Sequence, residues 1–306
     1  MFSAAPVLQG VVLDANNISK TVCDHIRPPA ALGDRRRLVR ASRLSRAAEE
    51  HPQKGPPARR RHPRFRQSAA AHIPGGKAAR RLVAWDTLEA ETYRHEAFPT
   101  YQSGREFDDD LLEQLTLIPD FVAACGFANA RRAGYEADDF LAAAAAEERR
   151  GGTVLVASGD RDTFQLASAN TTILYPVRAG EMARIGPAEV CARYGVEPKQ
   201  VPDFIALRGD PSDKLPGAPG VGAAGAATLL RQYGSLAAIL KAGRFAKQAA
   251  NLRLYRAIAT MDRKAPVPRL EDQKPTWAKA AALAREWELK QLAGRLEDLA
   301  RNSAPS

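Results

Sequence analysis

The sequence predicts an α/β fold, a parallel sheet covered on both faces, followed by a smaller all-helical unit. Three observations carry this. Short apolar runs alternate with helical patterns up to about residue 186, only short helical patterns follow, and three of the apolar runs each stop at an aspartate.

In order along the chain, Gln9–Leu13 reads as a short buried strand that ends at Asp14. From Asn16 to about Lys77 usable periodicity disappears, and His51-Pro52, Gly55-Pro56-Pro57 and Pro74-Gly75-Gly76 break any long element. Within that stretch only Ala30–Glu50 has the makings of a basic helix. Leu82–Trp85 is a second strand with Asp86 at its end. Apolar residues at Leu111, Leu112, Leu115, Leu117, Phe121 and Val122 predict a helix over 108–126, interrupted near Pro119. Ala137–Arg149 is an Ala-rich helix closed by Gly151-Gly152. Thr153–Ser158 is the clearest strand, with Asp160 just beyond it, then a short helix from Phe164 and a strand at Thr171–Tyr175.

Beyond Gly186 the expected helices are Pro187–Tyr194, Val201–Leu207, Ala223–Tyr233, Leu236–Leu240 and Ala246–Thr260. The domains expected are therefore 1–185 (with 16–80 atypical and basic), 186–262, and a packed tail over 263–306 that carries Trp277 and Trp287.

Composition narrows the class. A hydrophobic content of 45% over 306 residues supports a real core. No apolar run approaches the roughly 20 residues a bilayer needs, and the start has no signal-peptide pattern. Three scattered cysteines, Cys23, Cys125 and Cys191, suit a reducing cytoplasm rather than a disulfide frame or a zinc site. The net charge of +10 is local: 16 Lys/Arg and 3 acids lie between Arg27 and Val83, leaving 29 basic and 32 acidic residues elsewhere. That run reads either as a nucleic-acid contact or as a solvated or disordered stretch.

The acidic residues say more. In a parallel sheet the strand ends share one edge, where ligands bind. Asp14, Asp86 and Asp160 would meet there, joined by Glu136, Asp138 and Asp139 at the start of the Ala-rich helix and by Asp162. Any one of them has an ordinary explanation, since aspartates commonly cap helices. As a set they would repel one another and raise each other's pKa unless cations intervened. With only oxygen ligands, those cations are Mg²⁺ or Mn²⁺ rather than zinc. Two such ions can hold a phosphodiester, activate water and stabilise the leaving oxygen.

Longer motifs add a family resemblance. Gly134-Tyr135-Glu136-Ala137-Asp138-Asp139 resembles the G-Y-E-A-D-D motif of the bacterial 5′→3′ exonucleases, related to flap endonucleases. Ser158-Gly159-Asp160-Arg161-Asp162, the loop Gly209-Asp210-Pro211-Ser212-Asp213-Lys214-Leu215-Pro216-Gly217, and Gly220-Val221-Gly222 with Gly225-Ala226-Ala227 are similar to three further family blocks in the same order. Upstream, Trp85-Asp86, Thr92-Tyr93-Arg94-His95 and Pro99-Thr100-Tyr101 match another.

The resemblance implies a PIN-like nuclease domain followed by a helix-hairpin-helix (helix-three-turn-helix) DNA-binding domain. It implies a monomeric, metal-dependent enzyme cutting DNA at 5′ ends and flaps, in primer removal and repair. Glu136, Asp138, Asp139, Asp160 and Asp162 would hold two divalent ions, directly or through water, with Asp210 and Asp213, completed by Asp86 and Asp14. Arg94 and Arg105 would stand near the scissile phosphate or on the arch that admits a single strand, and Tyr101, Gln102, Lys214, Gly220, Gly222 and Gly225 against DNA, with K⁺ under the hairpin. Backbone N–H groups bared by the hairpin glycines suit a DNA phosphate.

Two features depart from the pattern: residues 16–77 are Arg/Pro-rich and unlike the family, and Gln102 stands where it has lysine. The alternative expectation is a catalytically impaired DNA-binding protein of the same family.

Overall fold

The structure, a computed structural model, describes residues 9–13, 80–87, 90–103, 109–148, 152–177 and 181–303, with backbone alone for 9–13 and 109–114. Asp14, Arg105 and the expected basic helix at Ala30–Glu50 lie outside the described residues. The strands are β1 (Gln9–Leu13), β2 (Arg80–Ala84), β3 (Ala128–Ala130), β4 (Val154–Ala157), β5 (Thr171–Pro176) and β6 (Met182–Ile185). They form one sheet in the order β3-β2-β1-β4-β5-β6.

This sheet is mixed, which corrects the expectation of a parallel one. β2 pairs with β3 and β4 with β5 in parallel, but β1 runs antiparallel to both neighbours and β6 antiparallel to β5. An antiparallel ladder satisfies the same backbone groups without a helical crossover, and a run such as Val11-Val12-Leu13 carries no sign of its direction. Leu13 pairs with Arg80 and Val154, so β1 ends at the edge opposite to the one where β2 runs into Asp86 and β4 into Asp160. The strand-end argument thus holds for Asp86 and Asp160 and fails for β1.

Helices α1 (Tyr93–Ala97), α2 (Asp109–Ala124) and α3 (Ala137–Glu147) belong to the sheet-bearing part. α1, β3 and β6 went unseen in the sequence because three to five residues are too few to show a period. α2 runs through Pro119 without interruption. Proline removes one helical hydrogen bond, but burial of Phe121, Val122 and Cys125 holds the helix together around it. A single cluster joins Leu82, Val156 and Ile173 of the sheet to Phe140 and Leu141 of α3.

After β6 every element is helical: α4 (Pro187–Tyr194), α5 (Val201–Arg208), α6 (Ala223–Tyr233), α7 (Leu236–Lys241), α8 (Ala249–Ala259), α9 (Trp277–Glu286) and α10 (Lys290–Asn302). Phe204, Leu230, Ile239 and Leu252 continue the same core as the sheet. The C-terminal pair α9–α10 forms a second core with α2 around Phe121, Cys125, Trp277, Ala284 and Leu296. Its approach is fixed by hydrogen bonds: the Gln273 side chain pairs with the backbone of Arg81 in both directions, at 3.0 and 2.9 Å, and Thr276 N–H donates to the Cys125 carbonyl at 3.0 Å. Among the described residues no helix is long and apolar enough to cross a membrane.

Candidate active site

The site is built where β2, β4 and the N-terminus of α3 meet a loop from the helical part. Asp86, just past β2, accepts the Ala137 N–H at 2.8 Å and so fastens the first turn of α3. Asp160, just past β4, accepts the Asp162 N–H at 2.8 Å, capping the 3-10 turn Arg161–Leu166. Its own N–H donates to Ser158 Oγ at 3.0 Å.

The loop 209–217 supplies two more carboxylates. Asp210 and Leu215 exchange backbone hydrogen bonds, each of 2.8 Å, which folds the loop tight. A Cβ on Gly217 would meet the Gly209 nitrogen at 2.5 Å, and both glycines have positive φ, so only glycine fits at this pinch. Asp210 accepts from Ser212 N–H and Oγ and pairs with Arg208 at 2.9 Å. Asp213 accepts from Gln102 Nε2 at 2.9 Å.

Eight of the expected carboxylates sense one another across this space. Burial raises Asp138 well above the usual carboxylate range, and Asp160, Asp86, Glu136 and Asp162 push it the same way. Burial likewise raises Asp162, helped by Asp160, Asp213 and Asp210 and opposed by Arg208. Glu136 is pushed up to about 7 by burial, with Arg94 opposing and Asp86, Asp139 and Asp213 adding repulsion. Asp138 Oδ1 is buried with no hydrogen-bond partner, which is costly for a carboxylate and leaves an acceptor open for a cation. Among the described residues no three acidic groups already enclose an ion-sized space. Mutual repulsion among these carboxylates favours such a spread, and Arg208, Arg94, Gln102 and Ser212 are among the groups that hold their negative charge.

Three expected roles are corrected by the geometry. Asp139 is fully buried and its oxygens are occupied: Arg94 donates to both at 2.7 and 2.8 Å, and Tyr93 OH, Asp262 N–H and Glu136 N–H add three more bonds. A carboxylate has about four lone-pair sites, so Asp139 has none left for a metal ion. Arg94 is likewise buried, with Nε on the Ile258 carbonyl at 2.9 Å and Nη1 3.3 Å from Glu136, and so does not reach out to a phosphate. Burial works against its charge, but Glu136 and Asp139 more than offset that and its pKa lies well above the ordinary value. Tyr101, 3% exposed, has no ring face available to DNA. Its hydroxyl donates to Glu136 Oε2 at 3.1 Å instead.

The remaining expected residues lie on the surface or just below it. Gln102 is half-buried beside the site, and Lys214 is exposed. At the hairpin Gly222 is the N-cap of α6, and both Gly220 and Gly222 have open space where a Cβ would be. Gly225, on the first turn, is exposed and would bring a Cβ only to within 3.6 Å of Val221.

Several residues that shape the site lie in or beside the motifs but carry no role of their own in the sequence reading. Thr92 Oγ1 donates to Glu136 at 3.3 Å and Arg208 holds Asp210. Gln165, buried, donates to the Ala259 carbonyl at 2.9 Å and accepts from Met261 N–H at 3.1 Å, bolting α8 to the site-bearing turn. Its position inside an otherwise apolar turn, Phe164-Gln165-Leu166, was the available signal.

Comparison with known proteins places these features in a family. Residues 65–195 match the model of the 5′-3′ exonuclease N-terminal resolvase-like domain, and residues 196–281 that of the 5′-3′ exonuclease C-terminal SAM fold. The DNA polymerase I of Mycobacterium bovis is 40% identical over 179 residues, 58% of this chain and 19% of the polymerase. Thermostable DNA polymerase I of Thermus thermophilus is 42% identical over 162 residues, 52% of this chain and 19% of the polymerase. The chain thus spans about a fifth of the length of these curated relatives. Among solved structures, the 5′-exonuclease of bacteriophage T5 with divalent metal ions (zinc) bound is similar, with a TM-score of 0.53 at 16% identity over 71% of this chain and 83% of that one. At that identity the likeness establishes the fold.

Proposed function

The chain belongs to the 5′-3′ exonuclease family, and on that premise we propose that it hydrolyses DNA phosphodiesters at 5′ ends and flaps with the aid of two divalent ions. The observation that carries this reading is the set of seven mutually repelling carboxylates around the unpartnered Asp138 Oδ1. Asp86, Glu136, Asp138, Asp160, Asp162, Asp210 and Asp213 are the residues that would hold the ions, and their all-oxygen chemistry suits Mg²⁺ or Mn²⁺. When bound, such ions supply charge for the phosphoryl oxygens and an activated water.

The chain's own residues do the rest. Asp86 fixes the start of α3, so Glu136 and Asp138 face the site with Asp160. The tight 209–217 loop delivers Asp210 and Asp213 from the helical part. DNA is gripped by the N–H groups at Gly220, Gly222 and Gly225 and by Lys214, contacts that read the backbone and not its sequence. The T5 relative solved as a flap endonuclease complex contains DNA and metal ions, with a TM-score of 0.50 at 17% identity over 72% of this chain and 83% of that one, and this supports the same partners here.

In this reading 1–185 is the nuclease domain, 186–262 the helix-hairpin-helix domain and 263–306 a C-terminal tail whose helices α9 and α10 act as a brace. A K⁺ ion under the hairpin rests on the family resemblance alone.

The test is a 5′-labelled flap duplex with Mg²⁺ or Mn²⁺. Metal-dependent release of label that Asp160→Ala abolishes is the expected result. Salt-sensitive binding with no cleavage by the wild type would instead make this a DNA-binding module.

A further inference from the structure

A chain of hydrogen bonds crosses the site from one unit to the other. Tyr101 OH donates to Glu136 Oε2 at 3.1 Å. Gln102 Nε2 donates to Tyr101 OH at 2.8 Å and to Asp213 Oδ1 at 2.9 Å. The two hydrogens of one amide nitrogen thus tie a carboxylate of the sheet-bearing part to one delivered by the loop of the helical part.

The backbone at Gln102 is arranged for this. Its φ is +46°, the left-handed region that a non-glycine residue enters only at a cost of about 1 kcal/mol or more. Two turn bonds hold it there: Tyr101 N–H to the Phe98 carbonyl at 2.8 Å, and Ser103 N–H to the Thr100 carbonyl at 3.2 Å. Tyr101 itself is locked by burial and by the edge of His95, with ring centroids 5.2 Å apart.

The chemistry of the amide fits the position. Glu136 and Asp213 repel each other across Tyr101. A neutral fork that donates twice can fix their separation without adding a cation that would compete with a metal ion for Asp213. We propose that Gln102 is a positioning residue which sets Asp213 against Glu136 and so preforms the divalent-ion site across the two units. This gives Gln102 a role different from the DNA contact expected of it, and it rests on the metal-binding reading above.

The test measures Mn²⁺ binding to the DNA-free protein by calorimetry and electron paramagnetic resonance. Wild type is compared with Gln102→Met, which keeps the length and loses the donors, and with Gln102→Ala. Removing a partner that orients a ligand weakens metal affinity about tenfold or more. Both variants should show that loss, with unchanged metal-free melting and unchanged DNA affinity without divalent ions. In the Asp213→Asn background, Gln102→Met should cost no further affinity.

Wild-type Mn²⁺ binding that both variants reproduce would overturn this inference and leave the nuclease reading intact. So would a rise in KM for DNA at unchanged Mn²⁺ affinity, which would mark Gln102 as a direct DNA contact. A wild type that takes up no Mn²⁺ would overturn both. The two variants remove different amounts of a half-buried side chain, so misfolding of one leaves the other to decide.

Discussion

Arg94 lays its guanidinium across both oxygens of Asp139, at 2.7 and 2.8 Å, with neither residue reaching solvent. The pair lies where three segments converge. Arg94 comes from α1 and reaches the Ile258 carbonyl at the end of α8, while Asp139 sits in the first turn of α3 and accepts the Asp262 N–H just beyond α8. A planar fork bound to a carboxylate fixes orientation as well as distance. This ion pair therefore clamps the helical part against the element that carries Glu136 and Asp138.

The first prediction concerns that clamp. Removing one member of a buried pair leaves an uncompensated charge and costs about 3–5 kcal/mol. Arg94→Met should lower the stability to urea by that order, and Arg94→Lys should recover only part of it because an ammonium cannot form the fork. An Arg94→Lys protein as stable as the wild type but without cleavage would restore Arg94 to the phosphate.

A second prediction sets stability against function at Asp138. Its buried, unpartnered oxygen costs free energy in the metal-free protein. Asp138→Asn removes the charge at constant shape and should raise the metal-free melting temperature by a few degrees, as about 1 kcal/mol does in a chain of this size. The same change should abolish the stabilisation by Mn²⁺ and the cleavage. Calorimetric scans with and without Mn²⁺ decide it; an Asp138→Asn protein that still gains stability from the ion would remove Asp138 from the ligand set.

The third prediction is a pH dependence. Glu136 holds its proton up to about pH 7 in the folded chain against an ordinary value near 4.5. The folded state therefore binds that proton more tightly than the unfolded one. Its ionisation destabilises the metal-free protein progressively as pH rises from about 4.5 to about 7, and below that window the penalty vanishes. Glu136→Gln should flatten this part of the stability profile. Urea titrations from pH 4.5 to 8 in chelator test it, and parallel profiles for the two proteins would disprove it.

Much of this was legible in the sequence, and the failures have physical causes. Asp86 and Asp160 were found because an apolar strand that stops at an acid has a recognisable form. The direction of β1 could not be read, since an apolar run pairs equally well either way. Asp139 was misassigned because a buried ion-pair acid and a metal ligand look identical at the start of a helix, and only its five donors separate them. Asp210 and Asp213 came from motif resemblance alone, for a loop closed by two glycines has no periodicity to betray what it delivers. The bridging role of Gln102 depends on a left-handed backbone that composition does not announce.

The fourth prediction tests the C-terminal brace. Cys125 is 1% exposed beneath α9, and burial pushes its thiol up to about 12, so it should be inert to disulfide reagents. Trp277 packs edge-on against Phe127 at 5.7 Å, and Trp287 lies 6.0 Å from Phe121. In a Cys23→Ser, Cys191→Ser background, Trp277→Ala should make Cys125 react at least tenfold faster by opening this cluster. The cost of such a truncation is about 3–5 kcal/mol. Unchanged reactivity would mean that the C-terminal helices do not cover α2 in solution.

The fifth prediction separates fold from DNA binding at the hairpin. Gly222 is the N-cap of α6, its φ of −88° suits any residue, and a Cβ there meets nothing. Aspartate is a better N-cap than glycine by a few tenths of a kcal/mol, and its charge suits the positive end of the helix. Gly222→Asp should therefore leave thermal stability equal or slightly higher. The same carboxylate would occupy the N–H groups offered to a phosphate and repel it, so affinity for duplex DNA in low salt should fall about tenfold, with a shallower salt dependence. Mn²⁺ binding at the carboxylates, none of which the substitution alters, should be unaffected. Fluorescence anisotropy with a labelled duplex across a salt series reads the effect, and an unchanged isotherm would show that DNA is held elsewhere.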